Sequence, residues 1–273
     1  MLIAVTRPVS PSLADCELTH LERVPIDVAR AVEQHAAYEA LLRSLGATVI
    51  QVAAAPTLPD AVFIEDTAIV LDEIAILTRP GASVRQGELA DVAPVLSDYR
   101  PVVAMEAPAT LDGGDVLRIG RTLYVGRSAR TTQLGVEQLQ RLLDMYEYRV
   151  VPVDFTGCLH LKSAATAVAD GVLLINPAWV SADAFPHPET IEVDESEPYG
   201  SNALRVGEDL VHSTQFPRTS ERLAQRGLRL SPVDLSELAK AEGAVTCCSL
   251  IFEDESPVFG FTRDYSTPAR PSL

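Results

Sequence analysis

Cysteine is sparse in this chain. Cys16, Cys158, Cys247 and Cys248 are the only four among 273 residues. That is too few for a disulfide framework at this length, and no C-x-x-C pair offers the usual zinc-ligand spacing. No apolar run approaches the roughly 20 residues that a membrane span needs. The first eight residues, MLIAVTRP, lack the basic region, apolar stretch and cleavage site of a signal peptide. Basic charge is also short: 22 Lys and Arg stand against 38 Asp and Glu, a net charge of −16. Such a balance opposes nucleic-acid phosphates and anionic membranes and mildly favours cationic ligands, although most acidic side chains simply solvate the surface. The expectation is a soluble cytoplasmic protein with free thiols and no nucleic-acid or membrane partner. Its oligomeric state stays open, a homodimer included.

Against these absences stand a hydrophobic content of 47%, enough for a substantial core, and an internal repeat. The polar clusters FIED, LDGGD, HLKS and TCCS each open an apolar run. Glu65–Val70 aligns with Gly114–Ile119, Ser163–Val168, Ser201–Val206 and Cys247–Phe252, in steps of 49, 49, 38 and 46 residues. A period of this size marks stacked or radially arranged units. One unit cannot bury its apolar face alone, so the repeat predicts one closed domain over residues 1–253.

Each unit reads as strand, tight turn, strand and helix. The paired strands are expected at 62–71 and 74–78, 116–119 and 122–125, 165–168 and 172–175, and 203–206 and 210–212. Third strands are expected at 48–52, 102–105, 149–153 and 191–193. Helical patterns fall near 27–45, 87–98, 131–145 and 220–226. The fifth unit has only the strand 248–252, and the start of the chain, residues 2–8, resembles the second strand 74–80. The termini are therefore expected to complete one unit together and close a ring. Residues 8–25 lack periodicity and read as a surface flap near the site. Residues 254–273, rich in Pro and Ser, read as an extension.

Equivalent strand starts are equivalent in space, so the repeat brings carboxylates, a histidine and a cysteine to one point. Singly, a cysteine, a histidine or an Asp beside glycines is ordinary structural material; Cys247, His160 and Asp112 become a set through their common place in the repeat. A cysteine nucleophile, a histidine acid/base and an orienting carboxylate are the minimal parts of covalent thiol catalysis. A thiolate needs nearby positive charge to form, which a cationic substrate can bring. Asp60, Glu65 and Asp66 suit a guanidinium, whose planar donors match carboxylates, and Phe63 beside them suits a partly buried rim. Alternation along a strand would send Cys247 and Cys248 to opposite faces.

The segments Leu58–Asp66, Thr110–Val116, His160–Ser163 and Thr246–Ser249 together resemble the dimethylarginine dimethylaminohydrolases, members of the guanidino-group-modifying superfamily. The resemblance implies an α/β fold, a five-bladed propeller (pentein) of ββαβ units with pseudo-fivefold symmetry. It implies Cys247 as nucleophile, His160 as acid and base, and Asp112 as its partner. It further implies that Asp60, Glu65 and Asp66 hold the guanidinium, with Phe63 on the rim, and that Arg85 and Arg130 clamp the α-carboxylate. No cofactor or metal would be needed. The implied reaction releases dimethylamine or methylamine from Nω-methylated arginine and hydrolyses an S-alkylthiouronium intermediate to citrulline. Sister enzymes carry an Asp two residues after the histidine, where this chain has Lys162; losing that carboxylate leaves room for N-methyl groups. The alternatives are an arginine deiminase, which would release ammonia, and a non-catalytic arginine- or metal-responsive binder using Cys247, Cys248 and His160 as zinc ligands.

Overall fold

Each of the five aligned runs is a strand, and each begins a three-stranded sheet of its own. In the computed structural model, which describes residues 1–186 and 188–254, these strands are Ala68–Val70, Val116–Ile119, Ala165–Ala169, Ala203–Val206 and Leu250–Glu253. Their antiparallel partners are Ala75–Leu77, Thr122–Arg127, Val172–Ile175, Asp209–Ser213 and, from the chain's start, Leu2–Thr6. A parallel third strand follows in every sheet: Val102–Ala104, Arg149–Asp154, Glu189–Glu192, Arg229–Val233 and Thr48–Gln51. The hairpins at Gly120 and Gly207 are two-residue turns, and the φ values of +59° and +62° are the left-handed conformation such turns require. The five sheets form the blades of an α/β propeller.

The termini close the ring as expected. Ile3 lies opposite Phe252 on one side and Thr48 on the other. The Met1 ammonium donates to the Asp254 carbonyl at 2.6 Å, and the Asp254 N–H returns a bond to the Met1 carbonyl at 2.7 Å. The chain end from residue 255, where most of the expected extension falls, is outside the described residues.

The longest helix among the described residues, Val28–Ser44, starts where the Asp27 carboxylate accepts the Arg30 N–H at 3.1 Å. It stops at Leu45, ahead of Gly46. Its inner face buries Ala31, Tyr38 and Leu42 against the fifth blade, together with the polar Gln34, His35 and Glu39. Glu39 is satisfied by Thr6 at 2.6 Å, Gln51 at 2.8 Å and Arg43 at 3.2 Å. Helices Gln133–Leu143 and Pro217–Gln225 pack on the second and fourth blades.

Several expectations need correction. The helix over 87–98 is a 3-10 segment, Ser83–Leu89, followed by the short helix Val92–Ser97. The third blade has only the 3-10 turn Ala182–Ala184 in that place, since Pro177 and Pro186 bracket the segment. The strand expected over 62–71 is a 3-10 turn, Ile64–Thr67, and then a strand of three residues. Cys247 and Cys248 precede their strand in a turn closed by the Cys247 N–H to the Ala244 carbonyl at 3.2 Å, so strand alternation does not govern them and both are buried. The strand Arg229–Val233 went unread because Pro232 breaks its pattern.

Helix Val28–Ser44 also props the Cys247 turn. The buried Tyr38 hydroxyl donates to the Val245 carbonyl at 2.8 Å, so the Ser249 hydroxyl, 2.7 Å away, is the donor to Tyr38. Replacing Tyr38 with Phe strands that carbonyl, and urea titration is expected to report a loss of about 1–2 kcal/mol with an unchanged slope.

Candidate active site

Immediately before each innermost strand the chain makes a helical or hydrogen-bonded turn, and neighbouring turns bond to one another around the ring axis. Gly114 N–H reaches Asp66 Oδ1 at 2.8 Å, joining the first blade to the second. Leu161 N–H reaches Asp115 Oδ1 at 2.9 Å, joining the second to the third. The Asn202 amide donates to the Lys162 carbonyl at 3.0 Å and accepts the Thr246 N–H at 3.1 Å, linking third, fourth and fifth. Glu65 N–H donates to the Cys247 carbonyl at 3.1 Å and closes the circle. Gly113 and Gly114 are glycines of necessity: a Cβ would come within 2.0 Å of the Glu65 carbonyl oxygen in one case and 2.5 Å of His160 Nδ1 in the other.

On one side of this circle lies a narrow cavity of about 20 Å³, bordered by Cys247, His160, Asp66, Asp60, Phe63 and Arg130, with Arg85 also on its wall. Glu17 and Glu242 stand on its border. The flap expected at residues 8–25 reaches it, for the Glu17 N–H donates to both Asp60 oxygens, at 3.3 and 3.2 Å.

His160 sits between two carboxylates. Its Nε2 is 3.1 Å from Asp112 Oδ2, and its Nδ1 is 3.7 Å from Asp66 Oδ1. Burial by itself favours a neutral ring, yet the charges of Asp66, Asp115 and Asp112 and the Asp112 bond outweigh it and push the imidazole up to about 9. At neutral pH it is an imidazolium able to give a proton away. Burial works against the Asp66 charge too, but His160 and Arg85 hold its carboxyl down at about 2. For Cys247, burial and then the charges of Glu65 and Asp66 push the thiol well above its ordinary value.

Two expected site residues are turned elsewhere. The Arg85 guanidinium is engaged inside the protein, to Asp66 at 2.5 Å, to Glu88 at 3.0 and 2.9 Å and to the Phe63 carbonyl at 2.9 Å. It braces Asp66 and is not the open carboxylate clamp expected of it. Glu65 does not border the Cys247 cavity. It pairs with Lys162 at 2.5 Å and accepts the Thr246 hydroxyl at 2.8 Å, forming the floor of a larger cavity of about 750 Å³ on the opposite face of the ring. Asp112 lies behind His160, oriented by the Gly81 N–H at 2.8 Å.

Sequence reading missed Glu88, Asp115, Asn202 and Glu242. Asp115 was within reach, because it aligns with Asp66 in the repeat. It is buried, and it gathers Leu161 N–H, Ser128 at 2.6 Å and Thr131 at 2.7 Å, tying the His160 turn to the turn that carries Arg130.

Among the described residues, Asp66, Asp112 and His160 are the group whose ligand atoms lie close enough, within 4.8 Å, to share a metal ion. Every carboxylate oxygen in that trio already accepts a hydrogen bond, from Arg85, Gly114, Gly81 or His160. Arg85 would also oppose a second cation. The donor set thus fits a histidine held by carboxylates better than a metal centre, and the two adjacent cysteines take no part in it.

The chain matches the family model described as N,N dimethylarginine dimethylhydrolase, eukaryotic, over residues 21–184. It is 39% identical over 249 residues to the N(G),N(G)-dimethylarginine dimethylaminohydrolase of Streptomyces coelicolor, covering 90% of this chain and 95% of that one. The protein of the same name from Pseudomonas aeruginosa is 35% identical over 228 residues, covering 83% and 90%. A solved structure of the Pseudomonas aeruginosa enzyme, a cysteine-to-serine form complexed with citrulline, superposes with a TM-score of 0.88 at 33% identity, covering 92% of this chain and 98% of that one. Fold and relatives define a pentein hydrolase that acts on guanidino groups. The chain belongs to the dimethylarginine dimethylaminohydrolase family.

The His160 environment fixes a pH window. Its folded-state value, about 9, lies above the ordinary 6.5, so the stability it contributes is complete below 6.5 and is lost as pH rises through 9. Denaturant midpoints are expected to decline across that interval, and His160→Asn is expected to remove that part of the decline.

Proposed function

We propose that this protein hydrolyses Nω-methylated L-arginine to L-citrulline and the corresponding methylamine, with Cys247 as nucleophile. The observation that carries the reading is the convergence of Cys247, His160, Asp66 and Asp60 on one buried cavity at the ring axis. A guanidinium entering there meets carboxylate charge, and its own charge offsets the burial and the acidic neighbours that keep the Cys247 thiol protonated.

As the guanidinium arrives, the Cys247 thiol releases its proton to solvent, and the thiolate sulfur attacks the guanidinium carbon, forming the C–S bond. His160 gives its proton to the methylated nitrogen, the C–N bond breaks, and dimethylamine or methylamine leaves. The now neutral imidazole takes a proton from water as that water attacks the S-alkylthiouronium carbon. The C–S bond breaks, the departing thiolate takes the remaining hydroxyl proton to regenerate the cysteine thiol, and citrulline is left, so the histidine ends each cycle as it began. Asp112 orients the ring through Nε2, and Asp66, braced by Arg85 and Gly114, faces the cationic substrate. Arg130 supplies the carboxylate contact at the flap; Asp60, expected from the resemblance to hold the guanidinium, lies on the flap side with Arg130 and suits the α-ammonium group instead. Lys162, at the position where sister enzymes carry a carboxylate, is directed to Glu65 on the far side of the ring. The nitrogen that would lean on that carboxylate therefore has no acceptor to satisfy, which suits N-methyl groups.

Cys247→Ser is expected to lower turnover of dimethylarginine by about 1,000-fold or more. Wild-type protein incubated with dimethylarginine and with arginine should release dimethylamine from the first and little ammonia from the second. Intact-mass analysis after acid quenching should find a substrate-derived adduct that maps to Cys247. Ammonia from arginine as the dominant product would make it a deiminase, and full turnover by the serine variant would end the thiol reading altogether.

A further inference from the structure

The cavity beside Cys247 holds about 20 Å³, whereas an amino-acid-sized ligand needs a pocket of roughly 300 Å³. Glu17 stands on the cavity's border with its N–H on Asp60, so opening the cavity for substrate requires the segment 17–21 that follows from it to move. Three side chains hold that segment. Asp60 accepts the Glu17 N–H, and Arg130 Nη2 donates to the Thr19 hydroxyl at 3.3 Å. The third is Glu242, whose carboxylate accepts three successive backbone N–H groups: Thr19 at 3.0 Å, His20 at 2.5 Å and Leu21 at 2.7 Å.

These tethers differ in kind. Asp60 and Arg130 belong to the set assigned above to the substrate's ammonium and carboxylate, so substrate competes with the flap for both. The Glu242 bonds run to flap backbone alone, and nothing in the proposed reaction competes for them. Glu242 also carries a φ of +58°, one of only two such non-glycine residues among those described. A left-handed conformation is strained for a residue with a side chain and persists where surrounding structure fixes it. Here the cost is offset by a carboxylate aimed at three N–H donors, each a charge-assisted bond.

We propose that Glu242 is the positioning residue of the flap, the anchor that stays bonded to residues 19–21 while substrate displaces the Asp60 and Arg130 tethers. It thereby sets how readily the flap recloses over bound methylarginine. This inference rests on the substrate reading above only for its kinetic consequence; the anchoring itself is testable on ligand-free protein.

Two variants separate the anchor from a general structural role. Glu242→Gln replaces one acceptor oxygen with an amide that repels the flap N–H groups. Glu242→Gly removes the carboxylate but suits the left-handed backbone, so the relief of strain should offset part of the lost bonding and the blades should stay folded, with a melting temperature only modestly lowered. In both, hydrogen exchange at the Thr19, His20 and Leu21 amides is expected to accelerate about 10-fold or more, with exchange in the blades unchanged. The KM for dimethylarginine should rise by a similar factor, with kcat within about threefold. Unchanged exchange at these amides in Glu242→Gly would overturn the anchor, even if the wild type turned over no methylarginine. Accelerated exchange without a rise in KM would overturn its link to substrate, as would a fall in kcat alone.

Discussion

The site depends on a closed circle of hydrogen bonds among five short turns. None of these turns could stand alone, because buried N–H and C=O groups near the axis would go unpaired. Each finds its partner one blade along: Gly114 on Asp66, Leu161 on Asp115, Asn202 on Lys162 and Thr246, Glu65 on Cys247. The circle is complete only if the ring is, so the sheet built from both chain ends bears directly on chemistry. The strand that follows Cys247 is held in register by residues 2–5, and the helix after that first strand props the Cys247 turn through Tyr38. Residues some 240 positions apart thus define one reacting geometry.

Charge within the circle is arranged in two layers. On the cavity side, Arg85 is enclosed by Asp66 and Glu88, and His160 by Asp112 and Asp66. On the far side, Lys162 answers Glu65. Buried ion pairs of this sort contribute little net stability, because desolvation consumes most of the Coulombic gain. Their effect here is on position and protonation. Arg85 keeps Asp66 ionised beside an imidazolium, and Asp66 keeps the imidazole protonated. Asp60 is different: burial pushes its carboxyl up, and the charge of Arg85, the flap N–H of Glu17 and the charge of Arg130 offset that only in part. A cationic ligand completes that part of the arrangement.

Much of this was legible in the residues because the repeat is strong. All five innermost strands, the shared terminal sheet and the place of Cys247, His160 and Asp112 follow from aligned polar clusters and apolar runs. The failures have local causes. Strand Arg229–Val233 contains a proline that the parallel edge of its sheet tolerates. The two cysteines precede a strand whose hydrophobic run hides a turn. Glu65 and Arg85 were assigned to substrate because a motif conveys which residues gather, and not which way each side chain points. Lys162 draws Glu65 through the ring floor, and Glu88, three residues beyond Arg85, draws the guanidinium inward. The tie between Glu242 and the flap joins segments more than 200 residues apart with no periodic signal.

The protonation state of Cys247 finally unites the fold with the proposed chemistry. A buried thiolate beside Glu65 and Asp66 is penalised twice, by lost hydration and by like charge. In the unliganded site the sulfur is therefore a thiol, poorly nucleophilic and resistant to oxidation. Only a ligand that brings positive charge against the sulfur reverses the penalty, and a guanidinium does so at the very carbon to be attacked. Citrulline is neutral at that position. Once it forms, the charge that sustained the thiolate is gone, the sulfur takes back its proton, and the carboxylates lose their partner. The same acidic burial that admits a methylated guanidinium thus favours release of the urea made from it.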